Sequence, residues 1–551
     1  MPAANTAAGI MGVKAITVFP DNFQRGLPSH QGVVLLFDLD TGMLKALLDG
    51  DAITGVRTAA VSAAATDALA RKDAHTLCIL GSGLQARRHL EAIHLVREIR
   101  EVRVWDIVPE SVQRYAQRAG MVYKTAERVW DPDSEDWTGG IGVWGHARSK
   151  DLIHWEHLPI AIFPQIEKGE HFIWFGCVRV NKRGLPMAFY TAVGPDRRPE
   201  DTADQWVALG DKDLINWQPY ENNPVLTYSL NGDTRLGEWR DPFIFEENGK
   251  TYLILGGTRL PKDENGHPAI SLYEALDDEL TKWKFKGILF EYADVKTPSI
   301  ECPNIARFGD KWVIFISPHK EVEYFVGTAD LENCTFTVEA HDYYDFSNQF
   351  YATNILTEES GRKIMWGSIV DTFKGSVGWQ CCLSLPRILE LDEKNDVLLQ
   401  KPAPELETLR AEKYSYALDL AGQKYTLCQI KGGTFEIEAW IDGKDGNGLE
   451  LVCGSYRMGV EFCGGKLHVA DVWMPVRSTA DGRHHIRVYI DKMITDVYVD
   501  GVDCCTRIIE PVYEATDINV FGTGACKVDV YQLNAENLFS LSKEYLQASA
   551  E

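Results

Sequence analysis

The chain has 551 residues, 45% of them hydrophobic and 25% charged, too long for one core and ordinary for a soluble globular protein of several domains. Its formal net charge of −24 repels phosphate backbones and anionic lipid head groups, so neither nucleic acid nor a membrane is an expected partner. A neutral small molecule suits that field better.

No window reaches the ~18 uninterrupted apolar residues of a membrane span, and MPAANTAAGIMGVK lacks the basic and apolar regions of a secretory signal. Both features point to a cytoplasmic protein. The 12 cysteines form no CxxC pair and no Cys/His cluster at zinc spacing. They read as reduced thiols, and no metal or cofactor is expected.

The first 120 residues differ in texture from the rest. An Ala-rich run, TGVRTAAVSAAATDALARK, predicts a helix over 54–72, and HTLCILGSGLQARRHLEAIHLV reads as a buried strand, a glycine turn and a second helix. Gly81, Gly83 and Ala86 give GxGxxA, and Asp106 follows VRVW where an acid can take a ribose hydroxyl. Dinucleotide binding is one reading of these residues, and a structural or homodimerising role is the other. The segments GVKAITVFPDN, LPSHQGVVLLFDLDTG, VRTAAVSAAA and GSGLQARRHLEA resemble the ornithine cyclodeaminase and mu-crystallin family. That resemblance implies that Lys14 and Arg57 match positions handling a substrate carboxylate. It ends near Gly120, before the nucleotide-binding half is complete, so residues 1–121 are expected to form a small α/β fragment.

From residue 122 an internal repeat takes over. DLIHW ends at Trp155, DLINW at Trp217 and ELTKW at Trp283, while a weaker DLENCTF ends at Phe336; the spacings of 62, 66 and 53 residues are blade-sized. Hairpin patterns lie between them, as in DPFIFEENGKTYLILGG and CPNIARFGDKWVIFIS. Counting the incomplete unit that ends at Trp155, residues 122–410 predict a five-bladed β-propeller. After LLQKPAPELETLR, alternating strands such as FEIEAWI and HHIRVYID predict a β-sandwich over 411–551, with a helix-like tail AENLFSLSKEYLQ.

In a propeller the innermost strand of each blade starts at one mouth of the channel. Two such starts carry carboxylates, Asp241 in EWRDPFIF and Glu301 in SIECPNIARF. Paired carboxylates a few ångströms apart are what glycoside hydrolysis requires, one of them protonated near neutral pH. Arg240 can orient a carboxylate, and Cys302 can fill a small apolar gap.

In register with the repeat, Arg240-Asp241-Pro242 and Glu301-Cys302 resemble the RDP and EC motifs of glycoside hydrolase family 32, the β-fructosidases that cleave sucrose and fructans. The likeness extends through VWGHARSKDLIHWEHLPIAI, FYTAVG, QFYATN, WGSIV, SLPR and LQKPAPELETLR. It implies that Glu301 is the general acid/base and that Asp241 binds fructose hydroxyls in the transition state. Trp144, Trp174 and Phe175 are expected near the sugar subsite. Gln349 and Asn354 replace an Asp and a Gln common in the family, which bears on substrate scope.

The family opens its first blade with an Asn-Asp-Pro-Asn signature whose Asp is the nucleophile, and here the matching tract reads SVQRYAQRAG without a carboxylate. Three substitutes present themselves: Asp131 in RVWDPDSED, and Asp38 and Asp40 in VVLLFDLDTGMLKALL, a hairpin that could patch the gap in blade one. The expected function is a retaining β-fructosidase acting on sucrose or short fructans with an unconventional nucleophile. A noncatalytic fructan-binding propeller and an NAD-dependent cyclodeaminase-like activity are the alternatives.

Overall fold

The computed structural model describes residues 2–5, 9–19, 30–81, 84–97, 99, 101–105, 123–125, 143–170, 172–194, 203–261, 266–370, 381–510, 512, 515–535 and 538–544. They divide into two compact units, Met1–Gly140 and Ile141–Glu551.

In the first unit, strands Pro2–Asn5, Ile10–Val18, His30–Asp38 and Leu44–Asp49 pair antiparallel in chain order. The helix Gly50–Leu69 follows. It starts on a glycine because a Cβ at Gly50 would lie 2.5 Å from the Gly32 carbonyl carbon. Its C-terminal carbonyls are capped from outside: the buried Arg97 guanidinium donates to the backbone oxygens of Thr66, Asp67, Ala70 and Arg71. Thr76–Leu80, the helix Leu84–His94 and Glu101–Trp105 form one parallel βαβ unit, to which Tyr123–Thr125 adds a third strand. The strands of the hairpin VVLLFDLDTGMLKALL pair with each other and with Ile10–Val18, a β-rich partner close upstream that costs little chain entropy to find.

In the second unit three blades are four-stranded meanders, and blade five has the same four strands with Cys381–Leu383 paired beside Lys363–Val370 as a fifth. Blade two is Phe172–Val180, Pro186–Val193, Asp204–Gly210 and Trp217–Pro219. Blade three is Leu236–Glu247, Lys250–Arg259, Ala269–Ala275 and Trp283–Glu291. Blade four is Glu301–Phe308, Lys311–Ser317, Glu323–Asp330 and Thr335–Tyr343. Blade five is Phe350–Thr357, Lys363–Val370, Arg387–Asp392 and Val397–Pro402. Apolar faces of successive blades interlock, as where Phe189, Trp239, Leu253 and Trp283 pack between blades two and three.

The repeated DLxxW is a turn that launches the outermost strand. Asp151, the acid of the first repeat, and Asp211 and Asp277, which stand two residues before the second and third, accept backbone N–H groups two to four residues on. Leu152, Leu214 and Leu280 take φ of 63°, 59° and 60°, and Trp155, Trp217 and Trp283 each donate their indole N–H to the preceding Leu carbonyl at 3.1 Å.

Of blade one the described residues supply only Ala147–Ser149 and Trp155–His157. The tail adds to them: within it Phe539–Leu541 is a strand running parallel to Trp155–His157, while Lys543 and Glu544 are helical. An open strand edge beside Trp155 offers unpaired backbone groups, and hydrogen bonds from Trp155 N to Leu538 O and from Ser542 N to His157 O satisfy them.

The C-terminal strands form one ten-stranded sheet wrapped around its own core as a sandwich. Thr516–Leu533 belongs to both layers, pairing with Gly448–Cys453 through its first half and with Thr434–Asp442 through its second. The corner between them falls at Gly522 and Gly524, at φ of 120° and 91°, and a Cβ at Gly522 would strike the Asn447 side chain at 2.1 Å.

Candidate functional site

Each of the four described inner strands sets two residues against one of its neighbour at the same point. Ile173–Gly176 faces Ala192–Tyr190, Arg240–Phe243 faces Gly256–Ile254, Glu301–Asn304 faces Ser317–Phe315, and Tyr351–Asn354 faces Ser368–Trp366. Such bulges re-aim side chains, and here they do so in four blades in register. Asp241, Cys302 and Ala352 occupy the same bulge position and all have positive φ, of 64°, 44° and 50°. Trp174 holds that position in blade two. Strain repeated at one level of a channel marks where side chains are held for use.

The result is a compact polar cluster. Arg240, only 4% exposed, donates from Nη2 to Glu301 Oε1 at 2.7 Å and lies 4.0 Å from Asp241 Oδ2 through Nε. Its Nη1 is bonded to the carboxylate and carbonyl of Glu238. Trp174 covers the guanidinium face at 5.6 Å. Asp241 accepts the backbone N–H of Cys302 at 2.8 Å, and its own N–H is held by Thr191 Oγ1 at 2.9 Å. Glu301 Oε2 accepts the Tyr351 hydroxyl at 2.5 Å, with His319 Nδ1 at 3.7 Å and Ser299 Oγ bonded to His319 Nε2 at 3.0 Å.

Burial pushes the Asp241 carboxyl up to about 6, helped by the nearby Glu301 charge and opposed by Arg240. Glu301 goes the other way. Burial favours its protonated form, but Arg240, His319 and the Tyr351 hydroxyl together hold it below the usual glutamate value. Asp241, Phe175, Gly176, Asn304, Thr353 and Asn354 line a small cavity of about 10 Å³, room for one water.

The model of the glycosyl hydrolases family 32 N-terminal domain matches residues 129–402. Residues 129–402 are a family 32 glycosyl hydrolase domain. That family is one of glycosidases. Residues 1–129 match the ornithine cyclodeaminase/mu-crystallin family. Sucrose-6-phosphate hydrolase of Escherichia coli is 28% identical over 71% of this chain and 85% of its own length. An acid beta-fructofuranosidase of Capsicum annuum is 28% identical over 51% of this chain, which spans about half (47%) of that relative. Among solved structures, the family 32 beta-fructofuranosidase of Bombyx mori superposes with a TM-score of 0.61 at 22% identity, covering 76% of this chain and 88% of that one. Fructan 1-exohydrolase IIa of Cichorium intybus gives 0.62 at 20% identity over 75% and 93%.

Of the residues singled out from sequence, the family 32 domain gathers Arg240, Asp241, Glu301, Cys302 and Trp174 into one cluster and sets Phe175, 43% exposed, on the channel wall. Trp144 stands behind them, its ring 6.0 Å from Tyr190 and its N–H donated to the Trp174 carbonyl at 3.2 Å. Gln349 is fully buried and accepts Ile508 N–H from the sandwich, while Asn354 donates to the Gly176 carbonyl across the channel. Asp38 is committed to its own turn. Its carboxylate pairs with Lys45 and accepts from Thr41 and Asp40, bonds that hold its carboxyl far below the usual range. Asp40 is exposed on that turn. Gly81 lies after Leu80 with φ of 97°. Asp131, Gly83 and Asp106 lie outside the described residues.

Glu238, Tyr351, His319, Ser299 and Thr191 are site residues that the motif reading passes over. The strings EWRDP, QFYATN and ISPHK contain three of them in plain view. Their roles emerge only from the fold, which brings Tyr351 and His319 to Glu301, Glu238 to Arg240, Thr191 to Asp241 and Ser299 to His319.

Proposed function

We propose that the channel mouth hydrolyses the fructosyl bond of sucrose or short β-fructans, with Glu301 as general acid/base and Asp241 as the group that binds fructose hydroxyls in the transition state. The observation carrying this reading is the Asp241–Arg240–Glu301 cluster, built by matching bulges in adjacent blades and walled by Trp174. Two carboxylates around one guanidinium, beside an aromatic face, suit a neutral sugar passing through an oxocarbenium-like state. Names of relatives add sucrose 6-phosphate to the substrates worth testing.

Purified protein incubated with sucrose, sucrose 6-phosphate and inulin-type oligomers should release fructose, with glucose 6-phosphate as the other product of sucrose 6-phosphate. Glu301→Gln should cut release by about 10² to 10⁴-fold. Unchanged release from that variant rejects the assignment.

A noncatalytic fructan-binding module is the second reading, and one observation favours it. Glu301 is held ionised rather than protonated, the opposite of what an acid needs before a sugar arrives. Sugar binding by calorimetry with no fructose released decides for this alternative.

A further inference from the structure

Arg240 is shared. One face of the guanidinium serves Glu301 and Asp241, while Nη1 is taken by Glu238, both through the side chain and through its carbonyl at 3.0 Å. Glu238 sits two residues before Arg240, inside the irregular register of blade three, and has φ of 54°, a left-handed conformation rare for glutamate. Its side chain is about one-third exposed, at 31%, so it stands at the mouth rather than in the core. A strained, part-exposed acid bonded to the central cation of a site contributes little to the core.

We propose that Glu238 is a positioning residue of the glycosidase site, which shares the Arg240 cation with Glu301 and thereby sets how readily Glu301 carries its proton. The inference rests on the family 32 reading of Glu301 as acid/base. The groups facing Glu301 are Arg240 and Asp241 from blade three, His319 and Ser299 beside its own strand, the Cys302 thiol next to it, and Tyr351 from blade five. Of these only Arg240 and His319 can bring positive charge, and Glu238 is bonded to the first of them. Neutralising Glu238 leaves the full Arg240 charge on Glu301 and Asp241. The ionised form of Glu301 is then favoured, and its proton is lost at lower pH.

The test is the pH profile of kcat/KM for fructose release by Glu238→Gln, an isosteric change at a part-exposed position. Its alkaline limb should move down by about one pH unit, so that the rate at the alkaline end falls roughly tenfold while KM at the optimum stays within about twofold. In parallel, calorimetry with a pyrrolidine iminosugar shaped like fructofuranose should give an affinity whose pH dependence shifts in the same direction. A limb and a binding profile that coincide with those of the unaltered protein overturn the inference alone. An unaltered protein that neither releases fructose nor binds the iminosugar removes the glycosidase reading and this inference with it.

Discussion

The backbone N–H of Cys302 donates to Asp241 Oδ2 at 2.8 Å, tying the bulge of blade four to the bulge of blade three. The bond supports a carboxylate that is 5% exposed and whose pKa burial raises from 3.8 to about 6. A folded-state value above the unfolded one stabilises the fold below the unfolded pKa, and the benefit is lost as pH rises through the folded one.

The first prediction follows from that sign. Between pH 4 and pH 7 ionisation of Asp241 works against folding by up to roughly 3 kcal/mol, a cost that Asp241→Asn does not carry. The melting temperature of Asp241→Asn minus that of the unaltered protein should therefore become more positive as pH rises through about 6. A difference that stays flat across that range contradicts the burial argument, whatever happens to activity.

Tyr351 is the second handle. Its hydroxyl donates to Glu301 at 2.5 Å and favours the ionised form. Tyr351→Phe removes one hydrogen bond to a charged group, on the order of 1 kcal/mol, and should raise the alkaline limb of the pH–rate profile by roughly half to one unit. The opposite directions expected for Tyr351→Phe and Glu238→Gln make the pair a stringent test, since general damage to the site moves both the same way.

Trp174 covers the Arg240 guanidinium and occupies the bulge position that Asp241 holds in blade three. A sugar resting on the cluster meets this ring. Trp174→Ala should raise KM for sucrose by about tenfold, with a smaller loss in kcat, because face-to-face contact serves ground state and transition state alike. Initial-rate kinetics separate the two constants.

The blade count, the sandwich and the acids Asp241 and Glu301 were legible in the sequence because DLxxW turns and strand hairpins are local patterns with local causes. Pairing across distance was not. Nothing in AENLFSLSKEYLQ signals that Phe539–Leu541 will run beside Trp155–His157, where backbone groups at an open edge take those three residues into a strand. The hairpin at 33–48 was readable as a hairpin, but its partner was not. The bulges were invisible too: RDP, EC and YAT share no residue type, and only the strand register reveals them as one structural position.

Arg387 fixes the joint between propeller and sandwich and yields the last prediction. Buried at 1% side-chain exposure, it donates to Asp345 at 2.7 Å, Asp496 at 3.3 Å and Gln400 at 3.1 Å, and stacks 4.2 Å from the Phe350 ring centre. Asp345, in blade five's approach, and Asp496, in the sandwich, thus share one cation. Burial pushes both carboxyls up, Asp345 to about 6, with Arg387 opposing. Arg387→Met fills the space but leaves two acids facing each other, so unfolding by urea should lose about 3 to 5 kcal/mol at pH 8. At pH 5 those acids can take up protons, and the loss should shrink. A penalty equal at both pH values would show that packing on Phe350, rather than charge, is what Arg387 supplies.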